Sequence, residues 1–586
     1  MKKTALVPLL VITTASGLAT PAAADPRPLT ADVRADVNRD GVVDLAGPSD
    51  SVGKKTWTTQ RGAIFLPNIG DSERRCPSTD SAGKPLPDDK LAACNDASDD
   101  VARATENLAP VKTVPIPHAP QDAVAQVAVT GAGKEKTRLF VHRDGKWVKL
   151  TGPLTPAELR GGATLGIDAK DVIRDTAVWD GSATVQFTVA HGGRSTSDSV
   201  VLRVAPVLTH HHLQQAQEVL VTDNDRPEQQ RFVKELAEQV RAAGLTAPLR
   251  RFDGDDRWAQ DFVEPGYVTM PGPDGKPKGL RIAIRSAQAE REAGRQVFTK
   301  LRGPGIGAVQ IAGGSDNSVN STGNLETIPP HHGFPAGRII IGTQGKPEET
   351  PSPEMLTFLR SQGLQSPLVL DTSWLAVGHV DEFVQFLPRA GGRGWTIAVA
   401  DPESGLKVLR DAQRQGHGSV RMFSRPGSTR NETVDQVLAN RKVLDGNALA
   451  QRRIKANLEL LQRETGVTDG EIVKVPVLFR DFEPSDIDQS RGKPKVPPDQ
   501  MPEGLVAYVP NAVNGVVLNS QHYLSARQWG PMIGGKDIFT EAVNTAYGKA
   551  GFTVHDVDDW DSHHTRGGEV HCGTNTFREQ TSWWPR

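Results

Sequence analysis

The chain has 586 residues, and its 68 lysines and arginines against 70 aspartates and glutamates leave a net charge of −2. This balance provides no basic field that would draw the protein to nucleic acid or to an acidic membrane, so neither partner is expected. The length, together with 57 glycines and 42 prolines, fits two or three globular domains that are rich in loops and strands.

The first 24 residues have the layout of a secretory signal peptide. Lys2 and Lys3 precede an apolar run, which ends in small residues at positions 22–24. We therefore expect cleavage near Ala24 and secretion of a soluble protein. No later apolar stretch reaches the length of about 18 residues that a membrane span requires. The sequence leaves the oligomeric state open.

Three cysteines are too few for a disulfide scaffold, and they include no C-x-x-C pair of the kind that binds zinc. In an oxidising compartment Cys76 and Cys94 could pair, and the sequence leaves this open. Cys572 would then be unpaired, either as buried packing or as a reactive group.

Strand-like segments separated by Gly, Pro and Asp turns fill residues 32–204, and this spacing predicts a β-sandwich. After Pro206, short apolar strands alternate with helical stretches, which indicates an α/β region. Helices are predicted over Pro227–Gly244 and Val434–Gln462, and an exposed Pro- and Lys-rich loop over Gln489–Gly504. No internal repeat is evident.

An Asp-rich segment near the start of the sandwich has the spacing of the first half of a calcium loop. Side-chain oxygens recur at alternate positions around Gly41, as in a chain that wraps a hard cation. The segment departs from an EF-hand because Gly47 occupies the twelfth position. The alternative is an Asp-rich turn without an ion. The candidate ligands are Asp36, Asn38, Asp40, Asp44 and Asp71, with possible additions from Asn95, Asp96, Asp99 and Asp100.

Three motifs carry groups for chemistry on a guanidinium. Asp261 ends the string DRWAQD, and Cys572 lies in GGEVHCGTN. His379 and Asp381 lie two apart in VGHVDEF, which we predict to be a strand that presents both side chains on one face. Taken singly, each motif also fits a structural role, such as a salt-bridged turn.

A guanidinium is a planar cation whose N–H groups carboxylates bind in pairs, so Asp261 and Asp381 are predicted to hold and orient it. The Cys572 thiolate would attack the central carbon, its pKa lowered by the His379 imidazolium or by the substrate cation. His379 would then protonate the departing ammonia and activate water, leaving a ureido group.

Taken together, these strings resemble the protein-arginine deiminases, calcium-dependent enzymes that convert peptidyl arginine to citrulline. The resemblance covers roughly 32–584 and suggests a secreted bacterial-type member without the family's amino-terminal domain. It is carried, in the family's order, by DVNRDGVVD, KKTWT, GAIFLPN, DRWAQD, GPGIG, GNLE, VGHVDEF, GHG, PNAVNGVVL and GGEVHCGTN.

The resemblance implies an immunoglobulin-like β-sandwich over 25–205 and an α/β-propeller of the pentein type, the fold of guanidino-modifying enzymes, over 206–586. It assigns the catalytic roles to Asp261, His379, Asp381 and Cys572. Trp258 would flank the aliphatic stem of the substrate, Arg291 would bind the substrate backbone, and Arg566 would lie near the pocket.

The resemblance also implies Ca²⁺ as a cofactor. One family site beside the active centre is matched in full, by Gln260, Glu264, Thr322, Leu325 and Glu326. A second family site is expected to be lost, because the matching positions hold Phe262, Ser286, Ala287 and Glu290. Calcium dependence is therefore expected to be less steep than in relatives with several sites.

The sequence leaves two rival functions open. One is a deiminase of free arginine or another small guanidine; the other is a non-catalytic calcium-dependent binding protein on a deiminase scaffold. Retention of all four reactive side chains disfavours the second. The histidine tract 210–212 is interpreted as a solvated or packed linker, and His563 and His564 as residues that shape the loop near Cys572.

Overall fold

The computed structural model describes Met1 and residues 28–311, 313–346, 349–483 and 503–584. The predicted signal peptide, apart from Met1, and almost all of the predicted loop at Gln489–Gly504 lie outside the described residues. No helix in the described ranges combines the length and apolar character that crossing a bilayer requires.

Two β-sheets form the first region. One sheet has the order β1-β3-β7-β5-β6 and is antiparallel throughout; the other has the order β2-β9-β8-β4, with β2 and β9 parallel. Their inward-facing residues belong to one hydrophobic cluster, as expected of a sandwich. The strands are β1 (Val33–Ala35), β2 (Ala63–Phe65), β3 (Ala109–Thr113), β4 (Val124–Thr130), β5 (Thr137–Arg143), β6 (Lys146–Lys149), β7 (Thr164–Ala169), β8 (Ser182–His191) and β9 (Arg194–Val204).

The alternation in the sequence explains these strands. In β8, buried Ala183, Val185, Phe187 and Val189 alternate with residues that are partly exposed. Two short helices, α1 (Asp88–Ala93) and α2 (Pro156–Gly161), lie in the connections. The predicted two-layer β architecture is confirmed, whereas its immunoglobulin-like topology and the domain boundary at 205 stay predictions.

Five of the seven sheets in the described part of the α/β region share one design, and the other two are two-stranded. In each of these five sheets one strand pairs antiparallel with one neighbour and parallel with the other. The orders are β12-β11-β29, β10-β13-β14-β15, β16-β17-β18, β19-β20-β21 and β24-β25-β28. The last strand therefore pairs with the first long strand, which brings the two ends of the region together. This internal repeat is invisible in the sequence.

The strands of the α/β region are β10 (Leu208–Thr209), β11 (Ala216–Thr222), β12 (Arg250–Phe252), β13 (Val263–Pro271), β14 (Pro277–Arg285), β15 (Ile306–Gln310), β16 (Leu325–Ile328), β17 (Arg338–Thr343), β18 (Leu368–Asp371), β19 (Val384–Pro388), β20 (Trp395–Asp401), β21 (Val473–Pro476), β22 (Phe479–Asp481), β23 (Leu505–Ala507), β24 (Val516–Val517), β25 (His522–Ala526), β26 (Met532–Ile533), β27 (Lys536–Asp537), β28 (Thr553–Val557) and β29 (Thr574–Arg578). β22 pairs with β23, and β26 pairs with β27. The α/β character predicted after Pro206 is confirmed.

Helices connect or flank these strands; all four residues of the short helix α4 are buried, and the others bury one apolar face. They are α3 (Pro227–Ala242), α4 (Ala259–Phe262), α5 (Pro353–Ser361), α6 (Pro402–Arg414), α7 (Val434–Ala439), α8 (Arg441–Thr465) and α9 (Ile538–Lys549). The helix predicted over Pro227–Gly244 is confirmed. The single helix predicted over Val434–Gln462 is wrong: it is interrupted at Asn440, whose side chain caps α8 by accepting from the N–H of Lys442 (3.0 Å).

The two regions are packed together. A side chain at Gly41 would place its Cβ only 1.9 Å from the carbonyl oxygen of Gly272, so the Asp-rich loop lies directly on the turn between β13 and β14. At the other end of the chain, Trp583 packs against Trp57 (6.4 Å between ring centroids), and the Arg39 guanidinium lies over both rings. The chain after Cys572 thus packs against the sandwich.

Candidate active site

The four predicted catalytic residues lie on three separate segments, because His379 and Asp381 share one turn, and the five-sheet arrangement brings these segments together. Asp261 lies on α4, and Cys572 lies in the loop before β29. The main-chain N–H of Gln260 donates to the carbonyl oxygen of Cys572 (3.2 Å), which joins these two segments. All four side chains are buried.

The prediction that His379 and Asp381 share one face of a strand is wrong. Gly378 has a positive φ of 83°, and the chain then makes a 3-10 turn over Val380–Glu382 with His379 at its N-cap. The Glu382 carboxylate accepts from the N–H of His379 (3.0 Å) and closes the turn. The two side chains therefore come from a tight turn and not from a strand, and both are buried in the site.

Asp381 is the neighbour of the Cys572 sulfur. The Sγ atom lies 3.6 Å from Oδ2 of Asp381, and this oxygen also accepts from Nδ2 of Asn514 (2.7 Å) and from Nδ1 of His571 (2.8 Å). Its other oxygen, Oδ1, is buried and has no hydrogen-bond partner in the described structure. One oxygen of this carboxylate is thus saturated, and the other is available to a donor that enters the site.

Burial, reinforced by the charges of Asp381 and Asp261, raises the pKa of the Cys572 thiol well above its usual range. The sulfur is therefore a neutral thiol in this state, with no disulfide partner. A cation bound between the two carboxylates would cancel their charges and favour the thiolate, because the same electrostatic effect would act with opposite sign.

Ser318 orients His379. Nε2 of the imidazole lies 2.9 Å from the Ser318 hydroxyl and 3.1 Å from its carbonyl oxygen. A carbonyl can only accept, so this contact favours the tautomer with the proton on Nε2. Nδ1 lies 3.8 Å from Oδ1 of Asp261 and has no hydrogen-bond partner among the described atoms. His379 therefore presents an unshared nitrogen toward Asp261.

Arg291 binds the two aspartates of the DRWAQD string. Its Nη1 donates to Oδ2 of Asp261 (3.0 Å) and to Gln288 (2.9 Å), while Nε and Nη2 donate to Asp256 (2.7 and 2.8 Å). Burial opposes its charge, but Asp256 and Asp261 more than offset this and raise the pKa of Arg291. Arg291 is thus hydrogen-bonded to Asp261, and the contact of Arg291 with the substrate backbone stays a prediction.

Trp258 lies beside the nucleophile. A Cβ added at Gly568 would come within 2.5 Å of the Trp258 ring and 3.1 Å of the Cys572 Cβ, so both flank this glycine. The His563 ring packs against Trp258 edge to face (5.3 Å), which agrees with the loop-shaping role predicted for it. Arg566 donates to the carbonyl of Asp561 (3.2 Å), and its predicted place near the substrate stays a prediction.

The predicted calcium ligands beside the active centre are close together. The Thr322 hydroxyl donates to the carbonyl oxygen of Gln260 (2.8 Å), and Nε2 of Gln260 lies 3.5 Å from Glu264. A small cavity is lined by Gln260, Glu264, Glu326, His212 and His571, among others. Thr322 and Leu325 lie where α4, the 3-10 turn Thr322–Asn324 and β16 meet.

These residues fit a cation. Oε1 of Gln260 is buried and has no hydrogen-bond partner within the described ranges. Burial raises the pKa of Glu326 to about 7; burial and the charge of Glu326 raise the pKa of Glu264 well above its usual range. No group of three or more His, Cys, Asp or Glu side chains in the described residues is arranged to hold a metal ion. The predicted calcium site is not of that kind, because it contains only two carboxylates, and its other ligands are an amide and main-chain carbonyls.

His571 joins this cavity to the catalytic carboxylate, a link that the sequence analysis missed. Its Nδ1 lies 2.8 Å from Asp381, and its Nε2 lies 3.3 Å from Oε1 of Glu326. Burial alone would lower the pKa of His571, but Glu326 and Asp381 outweigh burial and raise it. Ser318 and Asn514 were also missed, although Asn514 belongs to the string PNAVNGVVL.

In the Asp-rich loop, carboxylates bind main-chain N–H groups. Asp36 accepts from Asp40 (3.1 Å) and Gly41 (2.9 Å). Burial, with the charges of Asp50 and Asp40, raises the pKa of Asp36 to about 7. These bonds fit the ion-free turn as well as a calcium loop, so binding by Asp36, Asn38, Asp40 and Asp44 stays a prediction. Asp71 lies in another loop, where it accepts from the N–H groups of Arg75 and Cys76.

The histidine tract is not solvated: His210, His211 and His212 are all buried, in agreement with the packed-linker alternative. His210 stacks on Tyr267 (4.9 Å), and Nδ1 of His212 contacts the carbonyl oxygen of Phe386 (2.9 Å). Nε2 of His212 faces Glu326 at 3.8 Å. The tract therefore forms part of the wall of the cavity beside the active centre.

Residues 194–585 match a family model described as "Protein-arginine deiminase (PAD)". Among curated relatives, protein-arginine deiminase type-4 of Rattus norvegicus is 33% identical over 405 residues, which are 66% of this chain and 56% of the relative. The type-4 and type-3 proteins of Homo sapiens are 31% and 32% identical, each over 66% of this chain and 56% of the relative. The chain spans little more than half the length of these relatives.

Two solved agmatine deiminases are also similar. The protein of C. jejuni is 13% identical with a TM-score of 0.34, and that of Enterococcus faecalis is 11% identical with a TM-score of 0.36. Each comparison covers 64% of this chain and 97% of the solved chain. At these scores the likeness carries no argument about fold or activity.

Proposed function

The chain belongs to the protein-arginine deiminase family, and on this basis we propose that it hydrolyses peptidyl arginine to citrulline and ammonia through a covalent Cys572 intermediate. The observation that carries the proposal is the buried cluster in which Cys572 lies 3.6 Å from Asp381, while Oδ1 of Asp381 and Nδ1 of His379 lack partners in the described structure. A guanidinium supplies the N–H donors and the positive charge that such a cluster accommodates.

In the proposed reaction, Asp261 and Asp381 bind the guanidinium, and its charge favours transfer of the Cys572 proton to the unpartnered Nδ1 of His379. The sulfur forms a bond to the central carbon. His379 delivers a proton to one terminal nitrogen, the C–N bond breaks, and ammonia leaves behind a thiouronium. His379 then takes a proton from water as the oxygen attacks the same carbon. The C–S bond breaks, which restores Cys572 and leaves the ureido group of citrulline.

The preference for peptidyl arginine over free arginine rests on the relatives, which are named as protein-arginine deiminases. The test measures ammonia release and ureido formation from an N-acylated arginine peptide and from free arginine, for wild type and Cys572→Ala. We expect kcat/KM to favour the peptide and activity to vanish in the variant. A preference for free arginine would favour the small-guanidine alternative; no activity from folded, reduced wild type would favour a binding protein.

The proposal includes one calcium site, formed by the side chains of Gln260, Glu264 and Glu326 with the carbonyl oxygens of Thr322 and Leu325. The unpartnered Gln260 oxygen and the two buried carboxylates support it. Bound calcium would neutralise charge beside His571 and Asp381. Thr322 and the carbonyl of Gln260 would keep the site attached to the segment that bears Asp261.

Thermal unfolding with and without calcium tests the site independently of turnover. We expect calcium to raise the Tm of wild type and to have less effect on Glu326→Gln, with Glu459→Gln on the exposed face of α8 as the matched control. Equal calcium effects in both variants would contradict the site.

The proposal also includes secretion after cleavage near Ala24, and N-terminal sequencing of the exported protein tests it.

A further inference from the structure

Asn514 contacts two catalytic segments that are far apart in the sequence. It is buried in the loop between β23 and β24. Its Nδ2 donates to Oδ2 of Asp381 (2.7 Å), and its Oδ1 accepts from the N–H of Cys572 (3.3 Å). Its main-chain carbonyl accepts from the N–H of His571 (3.1 Å). The side-chain amide of Asn514 therefore donates to the Asp381 carboxylate and accepts from the main chain of Cys572.

This arrangement determines which oxygen of Asp381 remains available. Oδ2 receives hydrogen bonds from Asn514 and from His571, and it also faces the Cys572 sulfur. Oδ1 is buried without a partner in the described part of the chain. Two donors on one oxygen prevent the carboxylate from rotating freely, since rotation would break both bonds. The open oxygen is thereby held toward an incoming cation while Oδ2 stays beside the sulfur.

We infer that Asn514 is a positioning residue that fixes the Asp381 carboxylate relative to the Cys572 sulfur, so that a bound guanidinium and the nucleophile meet in a reactive geometry. This inference rests on the proposed function. Replacement of Asn514 removes the partner that Asp381 and Cys572 share, so we expect the carboxylate and the sulfur to move apart. Misplacement of reacting groups by about 1 Å costs on the order of 100-fold in rate.

Two alkylating reagents of the same shape test the inference without turnover. 2-Chloroacetamidine is a cation that a correctly held Asp381 can bind, and 2-chloroacetamide is its neutral analogue. In both reactions the Cys572 sulfur bonds to the methylene carbon and chloride leaves. We expect wild type to react faster with the amidine. In Asn514→Ala we expect the rate ratio between the two reagents to fall at least tenfold, and kcat to fall about 100-fold.

Asn511→Ala is the matched control, since it removes the same side chain from the same loop. The Asn511 side chain donates to the carbonyl of Glu382 (2.6 Å) and accepts from the N–H of Val513 (3.0 Å). We expect this variant to keep the wild-type rate ratio even where its Tm falls. Asn514→Leu, which keeps the branched shape without the amide, replaces Asn514→Ala if the latter fails to fold.

The outcomes separate this inference from the proposed function. A wild-type protein without preference for the amidine would contradict the proposed function. A wild-type preference that Asn514→Ala retains within twofold would overturn the positioning role alone. The role is also overturned if both Asn514 variants fail to fold while Asn511→Ala folds, because Asn514 would then serve the fold.

Discussion

Nη1 of Arg291 donates a hydrogen bond of 3.0 Å to Oδ2 of Asp261. The family resemblance predicts that Arg291 binds the substrate backbone, yet here its guanidinium is bound by Asp256, Asp261 and Gln288. Arg291 therefore holds the Asp261 carboxylate in place and balances the charge of two buried aspartates. Its importance for the site does not depend on a direct contact with substrate.

Arg291→Ala should destabilise the protein strongly. The substitution leaves Asp256 and Asp261 without their shared cation, and breaking a buried pair from one side typically costs about 3–5 kcal/mol. Urea unfolding measures the change. Arg441→Ala, which removes an exposed partner of Asp445 on α8, should cost about 0.5 kcal/mol or less. Equal losses in both variants would contradict the role assigned to Arg291.

Gly323→Ala should impair the reaction while the protein stays folded. An added Cβ would lie 2.3 Å from Oδ1 of Asp261 and 2.9 Å from Nδ1 of His379, so these side chains must move apart. We expect kcat to fall on the order of 100-fold. In Gly548→Ala, a Cβ on α9 meets no described atom within 4 Å, and activity should be retained. Wild-type kcat in Gly323→Ala would show that the site tolerates this displacement.

Glu569 should make stability depend on pH. Its carboxylate accepts from the N–H of Asn511 (3.0 Å), contacts His564 (2.8 Å) and pairs with Asp559. Burial raises the pKa of Glu569 from 4.5 to about 8. The protonated form is therefore favoured in the folded state, and its stabilisation, complete below about pH 4.5, is lost as the pH rises toward 8.

Unfolding free energies at pH 5, 6, 7 and 8 measure this effect. For wild type relative to Glu569→Gln, we expect a decline with rising pH on the order of 1 kcal/mol per pH unit, the slope for one proton. The comparison cancels groups that titrate equally in both proteins. A difference that stays constant across this range would contradict the raised pKa.

The Cys76–Cys94 disulfide, which the sequence left open, is formed in the structure. It closes the loop that contains α1, and Nη1 of Arg302 donates to the carbonyl oxygen of Leu91 (2.6 Å) in this helix. The double variant Cys76→Ser/Cys94→Ser should have a free energy of unfolding about 3 kcal/mol lower than that of wild type. This is the loop-closure estimate for a separation of 18 residues. Urea unfolding under oxidising conditions measures this loss. Unchanged stability would mean that the bridge does not restrain the unfolded chain.

Local patterns in the sequence predicted the strands with clean alternation, such as β8, and the amphipathic helix α3. They failed where one residue changes the backbone direction. Gly378 turns the chain before His379, and Asn440 starts a new helix within one continuous helical pattern. Such breaks depend on single dihedral angles and caps, which a periodic pattern does not contain.

The sequence by itself indicated which groups are available for chemistry, because the motifs that contain Asp261, His379, Asp381 and Cys572 together provide what reaction at a guanidinium requires. It also supported membership of the family. Only the tertiary structure decided how these groups are held: Ser318 on His379, Arg291 on Asp261, and Asn514 between Asp381 and Cys572. These partners are distant in sequence, and hydrogen bonds act over about 3 Å, so their roles exist only once the sheets bring the segments together.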